Sequence, residues 1–230
     1  YKKKRKYDQA IEDFSKGIAL NPEYKWAYAQ RGITYQFKED YDEAINDLTK
    51  AVEIDPNYHG AIGQRGFVYQ LKQEYEQAIQ DFDKGIEINP DYVWAYVQRG
   101  YTMQLKQEYE QAIQDYSKAV EIDPEYKWGY AHRGLLYKHQ KKYDNAIEDY
   151  NRAIEIDSEN HSFVGQRGLI YQNKENYDLA IQDYDKAIQM NPDYDWAMVQ
   201  KGITYRLMEK YREALINFDK AIEINSNSDW

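Results

Sequence analysis

Apolar residues recur along the chain with a helical period set inside a longer beat. Between Lys25 and Tyr58, the residues Tyr28, Gly32 and Tyr35 fall at i, i+4, i+7. After the polar turn Lys38-Glu39-Asp40, Tyr41, Ala44, Leu48, Ala51 and Val52 continue the pattern. Each run places its apolar side chains on one stripe of a helix. The second helix must stop near Asp55-Pro56, because the residue before a proline avoids the α region. The stretch therefore predicts a helical hairpin, with Gly32 and Ala44 small enough to let its two helices approach closely. A hairpin this short cannot bury its own stripe, so it must stack on neighbours.

The whole pattern returns every 34 residues: Gly32, Gly66, Gly100, Gly134, Gly168, Gly202; Tyr41, Tyr75, Tyr109, Tyr143, Tyr177, Tyr211; Ala44, Ala78, Ala112, Ala146, Ala180, Ala214. Asp/Asn-Pro pairs close units at Pro22, Pro56, Pro90, Pro124 and Pro192. Ser158 and Ser226 stand at two further junctions, which are expected to bend differently. The units span 25–58, 59–92, 93–126, 127–160, 161–194 and 195–228. Residues 1–24 form the second part of a unit and 229–230 open another, so the expectation is a piece of a longer array.

This pattern resembles the tetratricopeptide repeat family. The matching residues are Trp26 or Tyr28, Gly32, Tyr35, Tyr41, Ala44, Leu48, Ala51 and Pro56, with equivalents in later units. The resemblance implies an all-α fold, an α-solenoid in which stacked antiparallel helix hairpins build a right-handed superhelix. Two departures are plain. The family's usual Leu before the glycine is Arg31, Arg65, Arg99, Arg133, Arg167 or Lys201, and its turn glycine is replaced by Glu, Gln or Lys.

A second beat lies over the first. The pentapeptide Pro22-Glu23-Tyr24-Lys25-Trp26 recurs 102 residues later as Pro124-Glu125-Tyr126-Lys127-Trp128, three units on. Asp55 to His59 is echoed by Asp157 to His161, and Ala29, Gly63, Val97 by Ala131, Gly165, Val199. Either a triplet of units was copied, or a three-unit surface is a functional module used twice.

Composition narrows the function. A charged content of 30% and a mean hydropathy of −0.97 point towards disorder taken alone. Disordered chains are poor in aromatic residues, however, and this one has 25 Tyr, 6 Phe and 5 Trp. The net charge of −10 argues against nucleic acid or an anionic membrane as partner. With no cysteine, disulfides, thiolate chemistry and Cys-ligated metals are excluded. No apolar run approaches a membrane span, and no signal peptide is visible; the compartment stays open, with the cytoplasm favoured.

Nothing in the chain resembles a catalytic constellation, and no enzyme activity or cofactor is expected. His59 and His161 are repeat equivalents and should be far apart. His132 and His139 share a helix face, but seven residues rise roughly 10 Å, too far to share an ion, so no metal site is expected. The basic run at residues 2–6 reads as a solvated turn. Arg31, Arg65, Arg99, Arg133 and Arg167 are each followed sixteen residues later by Asp47, Asp81, Asp115, Asp149 and Asp183, and where the Arg becomes Lys201 the Asp becomes Asn217. The joint change suggests an ion pair between the two helices of one unit, with Asp13 to Arg31 across units as the rival.

The first helices of a solenoid line its concave side. The stripe expected there holds the columns of Trp26, Ala29, Gln30, Ile33, Gln36 and Phe37. Its candidate binding residues are Trp26, Trp94, Trp128, Trp196, Phe67 and Tyr101, with a ladder of Gln30, Gln64, Gln98, His132, Gln166 and Gln200; Trp230 aligns with the Trp column. Such amides offer donor and acceptor to an extended peptide whatever its sequence, an arrangement similar to the asparagine ladder in the repeats of O-linked N-acetylglucosamine transferase. The alternative is that the Trp rings pack on adjacent units and the Gln side chains are merely solvated. The cationic clamp by which some members of the family grip acidic C-terminal tails is missing. The expected function is a non-enzymatic scaffold binding a protein or peptide ligand in the groove. The alternatives are self-association through repeat ends, or an array recruiting substrate to a catalytic domain elsewhere in the full-length protein.

Overall fold

The computed structural model describes residues 2–227, with side chains over 6–224. Thirteen α-helices and no strand occur among the described residues, starting with α1 (Lys2–Leu20). The side chains of residues 2–5, and the residues Ser228, Asp229 and Trp230, lie outside the described part. Two compact units divide the chain, Tyr1–Ile122 and Asp123–Trp230.

In the first unit, α2 (Lys25–Phe37) pairs with α3 (Tyr41–Ile54), α4 (His59–Leu71) with α5 (Tyr75–Ile88), and α6 (Val93–Leu105) with α7 (Tyr109–Ile122). These pairs stack through α1 on α2, α3 on α4 and α5 on α6. In the second unit, α8 (Lys127–His139) pairs with α9 (Tyr143–Ile156), α10 (His161–Asn173) with α11 (Tyr177–Met190), and α12 (Asp195–Leu207) with α13 (Tyr211–Asn227). Here α9 packs on α10 and α11 on α12.

The repeated glycines sit where the two helices of a pair touch. A Cβ on Gly32 would lie 2.9 Å from Leu48 Cγ and 3.1 Å from the Ala44 carbonyl oxygen; on Gly100 it would lie 3.1 Å from the Tyr116 ring and 3.3 Å from the Ala112 oxygen. The facing alanines are fully buried. Gly100→Leu therefore forces α6 and α7 apart. Overfilling a packed contact costs about 1–3 kcal/mol, which should lower the urea midpoint; an unchanged midpoint would mean that the contact is misplaced.

Each first helix ends in the same way. Asp40 N–H donates to Tyr35 O at 3.0 Å and Glu39 N–H to Gln36 O at 2.9 Å, the two bonds of a Schellman ending. That ending puts Glu39 at φ 66°, and Gln73, Gln107, Lys141, Glu175 and Glu209 at 58–65°. These are the positions where the family's turn glycine is replaced. Second helices stop at an extended Asp or Asn, as at Asp55 (φ −136°) before Pro56, whose carboxylate then accepts from Asn57 N–H at 3.0 Å.

At Ser158 α9 still stops at Ile156, and Asp157 has φ −133° and ψ 84° against −136° and 97° at Asp55, because the Asx residue and the following turn suffice without the ring. The difference falls at the far side of the junction, where Asn160 has ψ 93° against 74° at Tyr58 and caps α10 with its side chain. At Ser226 α13 runs on to Asn227, and the rest of that junction lies outside the described residues.

The Arg column forms the intra-hairpin pair. Arg31 donates through Nε and Nη2 to the two oxygens of Asp47, each at 2.7 Å, and the fork recurs at Arg65–Asp81, Arg99–Asp115, Arg133–Asp149 and Arg167–Asp183. Asp13, the rival acceptor, stays on α1 beside Lys16 and Gln9. A further link was not anticipated. Arg31 Nη1 reaches back to Ser15 on α1 at 2.9 Å, Arg65 to Thr49 on α3 at 3.2 Å, Arg99 to Asp83 on α5, and Arg167 to Asn151 on α9 at 2.6 Å. Lys201 keeps only this backward contact, to Asp185 at 2.5 Å, while Asn217 donates to the Glu213 carbonyl.

The 102-residue beat is also a beat of side-chain pairs. Lys25 binds Asp55 at 2.5 Å and Lys127 binds Asp157 at 2.7 Å. One hairpin further, His59 meets Asn89 and the edge of Tyr92, as His161 meets Asn191 and Tyr194. Exchanging the first residue of a unit thus goes with exchanging the residue that closes it.

Candidate functional site

Steps of four, three and four residues along a helix return to nearly the same direction. On α2 that direction is held by Trp26, Gln30, Ile33 and Phe37; on α4 by Gly60, Gln64, Phe67 and Leu71; on α6 by Trp94, Gln98, Tyr101 and Leu105. In the second unit, α8 presents Trp128, His132, Leu135 and His139; α10 Ser162, Gln166, Leu169 and Asn173; α12 Trp196, Gln200, Ile203 and Leu207. No Asp, Glu, Lys or Arg stands among them, although 30% of the chain is charged. Burial lowers the pKa of His132, so its ring adds no charge at neutral pH.

The stripe is partly open. Trp26 is 47% exposed, Trp128 45%, Tyr101 37% and Phe37 60%. The Trp rings also pack. Trp26 meets Phe14 edge-on at 5.8 Å, Trp94 meets Phe67 at 5.8 Å and Phe82 at 6.0 Å, and Trp196 meets Tyr184 at 6.3 Å. Each of these partners belongs to the preceding helix pair or to α1.

The ladder amides behave differently. Gln30, Gln64, Gln98, Gln166 and Gln200 are half-buried, and their side chains make no hydrogen bond among the described residues. Their neighbours in the Gln36 column are spent instead. Gln70 Nε2 donates to Gln98 O at 3.0 Å and to Thr102 Oγ1 at 2.7 Å, and Gln172 Oε1 accepts from Tyr184 and Thr204. The expectation that the Gln36 column faces the groove is corrected: it lies between stacked pairs. The Ala29 column is likewise buried; Ala29 is covered, and the ring of Trp94 lies over Gly63.

One member of that inner row is unsatisfied. Gln36 Oε1 is buried without a partner, because Val68 stands where Thr204 donates to Gln172 Oε1 in the later unit. Val68→Thr should supply the donor and raise stability by about 0.5–1.5 kcal/mol. A lowered melting temperature would show that the hydroxyl does not reach.

Three predicted residues, Trp128, His132 and Gln166, converge on a cleft of about 240 Å³ together with Ala131, Leu135, Tyr150, Ser162 and Phe163. The sequence reading missed Tyr150 and Phe163. Phe163 was the visible signal, since its column otherwise holds only Ala27, Ala61, Ala95, Gly129 and Ala197. No group of His, Asp and Glu able to hold a metal ion occurs among the described residues, and no helix there is long and apolar enough to cross a membrane.

Sequence profiles described as tetratricopeptide repeat match residues 26–58, 61–92, 128–160 and 165–194, 82–114, and 1–24 with 197–228. A TPR repeat profile matches 105–141. A comparison with curated proteins found no match. Among solved structures, MamA is similar at 25% identity and a TM-score of 0.66, over 70% of this chain and 95% of that one. YrrB, described as a TPR protein with an unusual peptide-binding site, is similar at 24% identity and a TM-score of 0.65, over 83% and 98%. PilF of Pseudomonas aeruginosa superimposes with a TM-score of 0.73 at 22% identity, over 84% and 88%.

Proposed function

Because the chain belongs to the tetratricopeptide repeat family, we propose that it is a non-enzymatic protein-interaction scaffold whose first-helix stripe binds an extended peptide segment of a partner. The observation that carries this reading is the unspent ladder. Half-buried amides usually find partners, and the Gln70 and Gln172 side chains, one column away, do so. Those of Gln30, Gln64, Gln98, Gln166 and Gln200 keep a donor and an acceptor available. An uncharged stripe on an acidic body sets aside recognition by ion pairing and favours main-chain contacts with apolar anchors.

The test uses a randomised peptide library panned on the parent and on a variant with all five ladder glutamines changed to Ala. Since those side chains hold nothing in the fold, the circular dichroism spectrum should be unchanged. Each lost hydrogen bond weakens binding by about 0.5–1.5 kcal/mol, so losing five should lower capture by about seventyfold or more. Equal capture by both proteins would refute the ladder.

A further inference from the structure

On α6 and α12, which carry Trp at their second position, the indole lies over the fifth residue of the first helix before it. A Cβ on Gly63 would come within 3.1 Å of the Trp94 ring, and one on Gly165 within 3.0 Å of the Trp196 ring. Two rings complete each berth. The capping-position tyrosine lies beside the indole, Tyr92 at 5.8 Å and Tyr194 at 5.5 Å, and a ring from the second helix closes the back, Phe82 at 6.0 Å and Tyr184 at 6.3 Å.

At α10 this arrangement is short of one ring. Asn160 stands in place of the tyrosine and Ser162 in place of the tryptophan. Asn160 cannot fill the gap, because its side chain accepts from the N–H groups of Ser162 and Phe163 and so caps α10. One ring is gained: Phe163 replaces the usual alanine and packs on Tyr150 at 6.5 Å, much as Trp94 packs on Phe82. Two rings are lost and one is added. What remains is the cleft of about 240 Å³ over Ala131, walled by Trp128, whose ring lies 5.2 Å from Phe163.

We propose that this cleft receives a single uncharged aromatic side chain, of indole size, carried by the peptide that the stripe binds; the proposal rests on the groove reading above. The volume is below the about 300–1,000 Å³ of a site for a drug-sized ligand, which suits one side chain and not a whole ligand. The chain itself shows what fits, since it fills two equivalent berths with its own indoles. No carboxylate or cation lines the cleft, so a charged side chain would be desolvated without a partner. Ser162, His132 and Gln166 form the polar rim, and the last two continue the ladder that would run beside the peptide main chain.

The probe is N-acetyl-tryptophanamide, with N-acetyl-lysinamide as control, followed by saturation-transfer NMR on the whole chain. Saturable binding of the tryptophan compound alone is expected. Ser162→Trp, which supplies the missing indole from within, should weaken it at least tenfold while helicity is retained; Ser162→Leu is the smaller plug if folding suffers. Library peptides selected on the parent should share an aromatic residue and lose capture on the same variant. No saturable binding of the tryptophan compound, or equal binding by the plugged chain, overturns the cleft even if peptides still bind the stripe. Binding of the small compound with no peptide captured overturns the peptide source and the stripe reading with it. A fall in mass by light scattering on plugging would make a second copy the donor of the ring, and overturns the peptide source as well.

Discussion

Glycine placed together at positions 39, 73, 107, 141, 175 and 209 is expected to stabilise the chain by about 3–6 kcal/mol. All six residues sit at φ between 58° and 66°, where a side chain crowds the following carbonyl at a cost of roughly 1–2 kcal/mol per residue. Glycine removes that strain, and its freer unfolded chain takes back about 0.4–1 kcal/mol. The sites lie one hairpin apart, so the gains should add. At about 2–4 °C per kcal/mol for a chain of this size, the melting temperature should rise by about 6–24 °C. Lys38→Gly is the control: Lys38 has φ −85°, so glycine there relieves nothing and should cost about 0.5–1 kcal/mol. A six-site variant no more stable than the parent would mean that these turns are not strained.

Arg99→Ala should be the most damaging single change. The Arg99 side chain is 19% exposed and that of Asp115 only 7%, and Arg99 holds Asp115 by two bonds and Asp83 by a third. Removing one partner of a buried pair costs about 3–5 kcal/mol. Burial pushes the Asp115 carboxyl above its ordinary value, against the pull of Arg99. Without the guanidinium it should rise further, and the sign of the pH dependence follows. A carboxyl with its folded pKa raised destabilises the fold once the pH exceeds that of the unfolded group, about 3.9. The deficit of Arg99→Ala should therefore be full near pH 7 and shrink as the pH falls towards 4. The double variant Arg99→Lys, Asp115→Asn copies the chain's own Lys201 and Asn217 and should lose far less. A deficit below about 1 kcal/mol at pH 7, or one independent of pH, would show the pair to be a surface contact.

Much of the architecture could be read from columns. A fixed beat puts both halves of a contact in register, so Gly32 opposite Ala44 is legible in the sequence; the joint change to Lys201 and Asn217 favours Arg31 with Asp47 over Asp13, and the structure decides it. The backward link of the arginines was hidden because Ser15, Thr49, Asp83 and Asn151 share only the capacity to accept a hydrogen bond. Gln30 and Gln36 are the same residue on one helix. Only packing distinguishes the amide left available from the one enclosed between pairs, and six residues turn the second far enough to enter the stack. The aromatic cleft needed three substitutions read together, at Asn160, Ser162 and Phe163, each ordinary alone. At Ser158 the helix stop survives without proline because Asp157 and the turn make it, and the junction differs instead at Asn160.

The backward reach of the arginines gives the array a grain. When α4 and α5 open, Thr49 on the pair behind loses only an uncharged contact with Arg65, whereas Arg99 on the pair ahead loses the Asp83 carboxylate. Fraying should therefore spread unequally in the two directions, and amide exchange, followed pair by pair, should be protected asymmetrically about that hairpin.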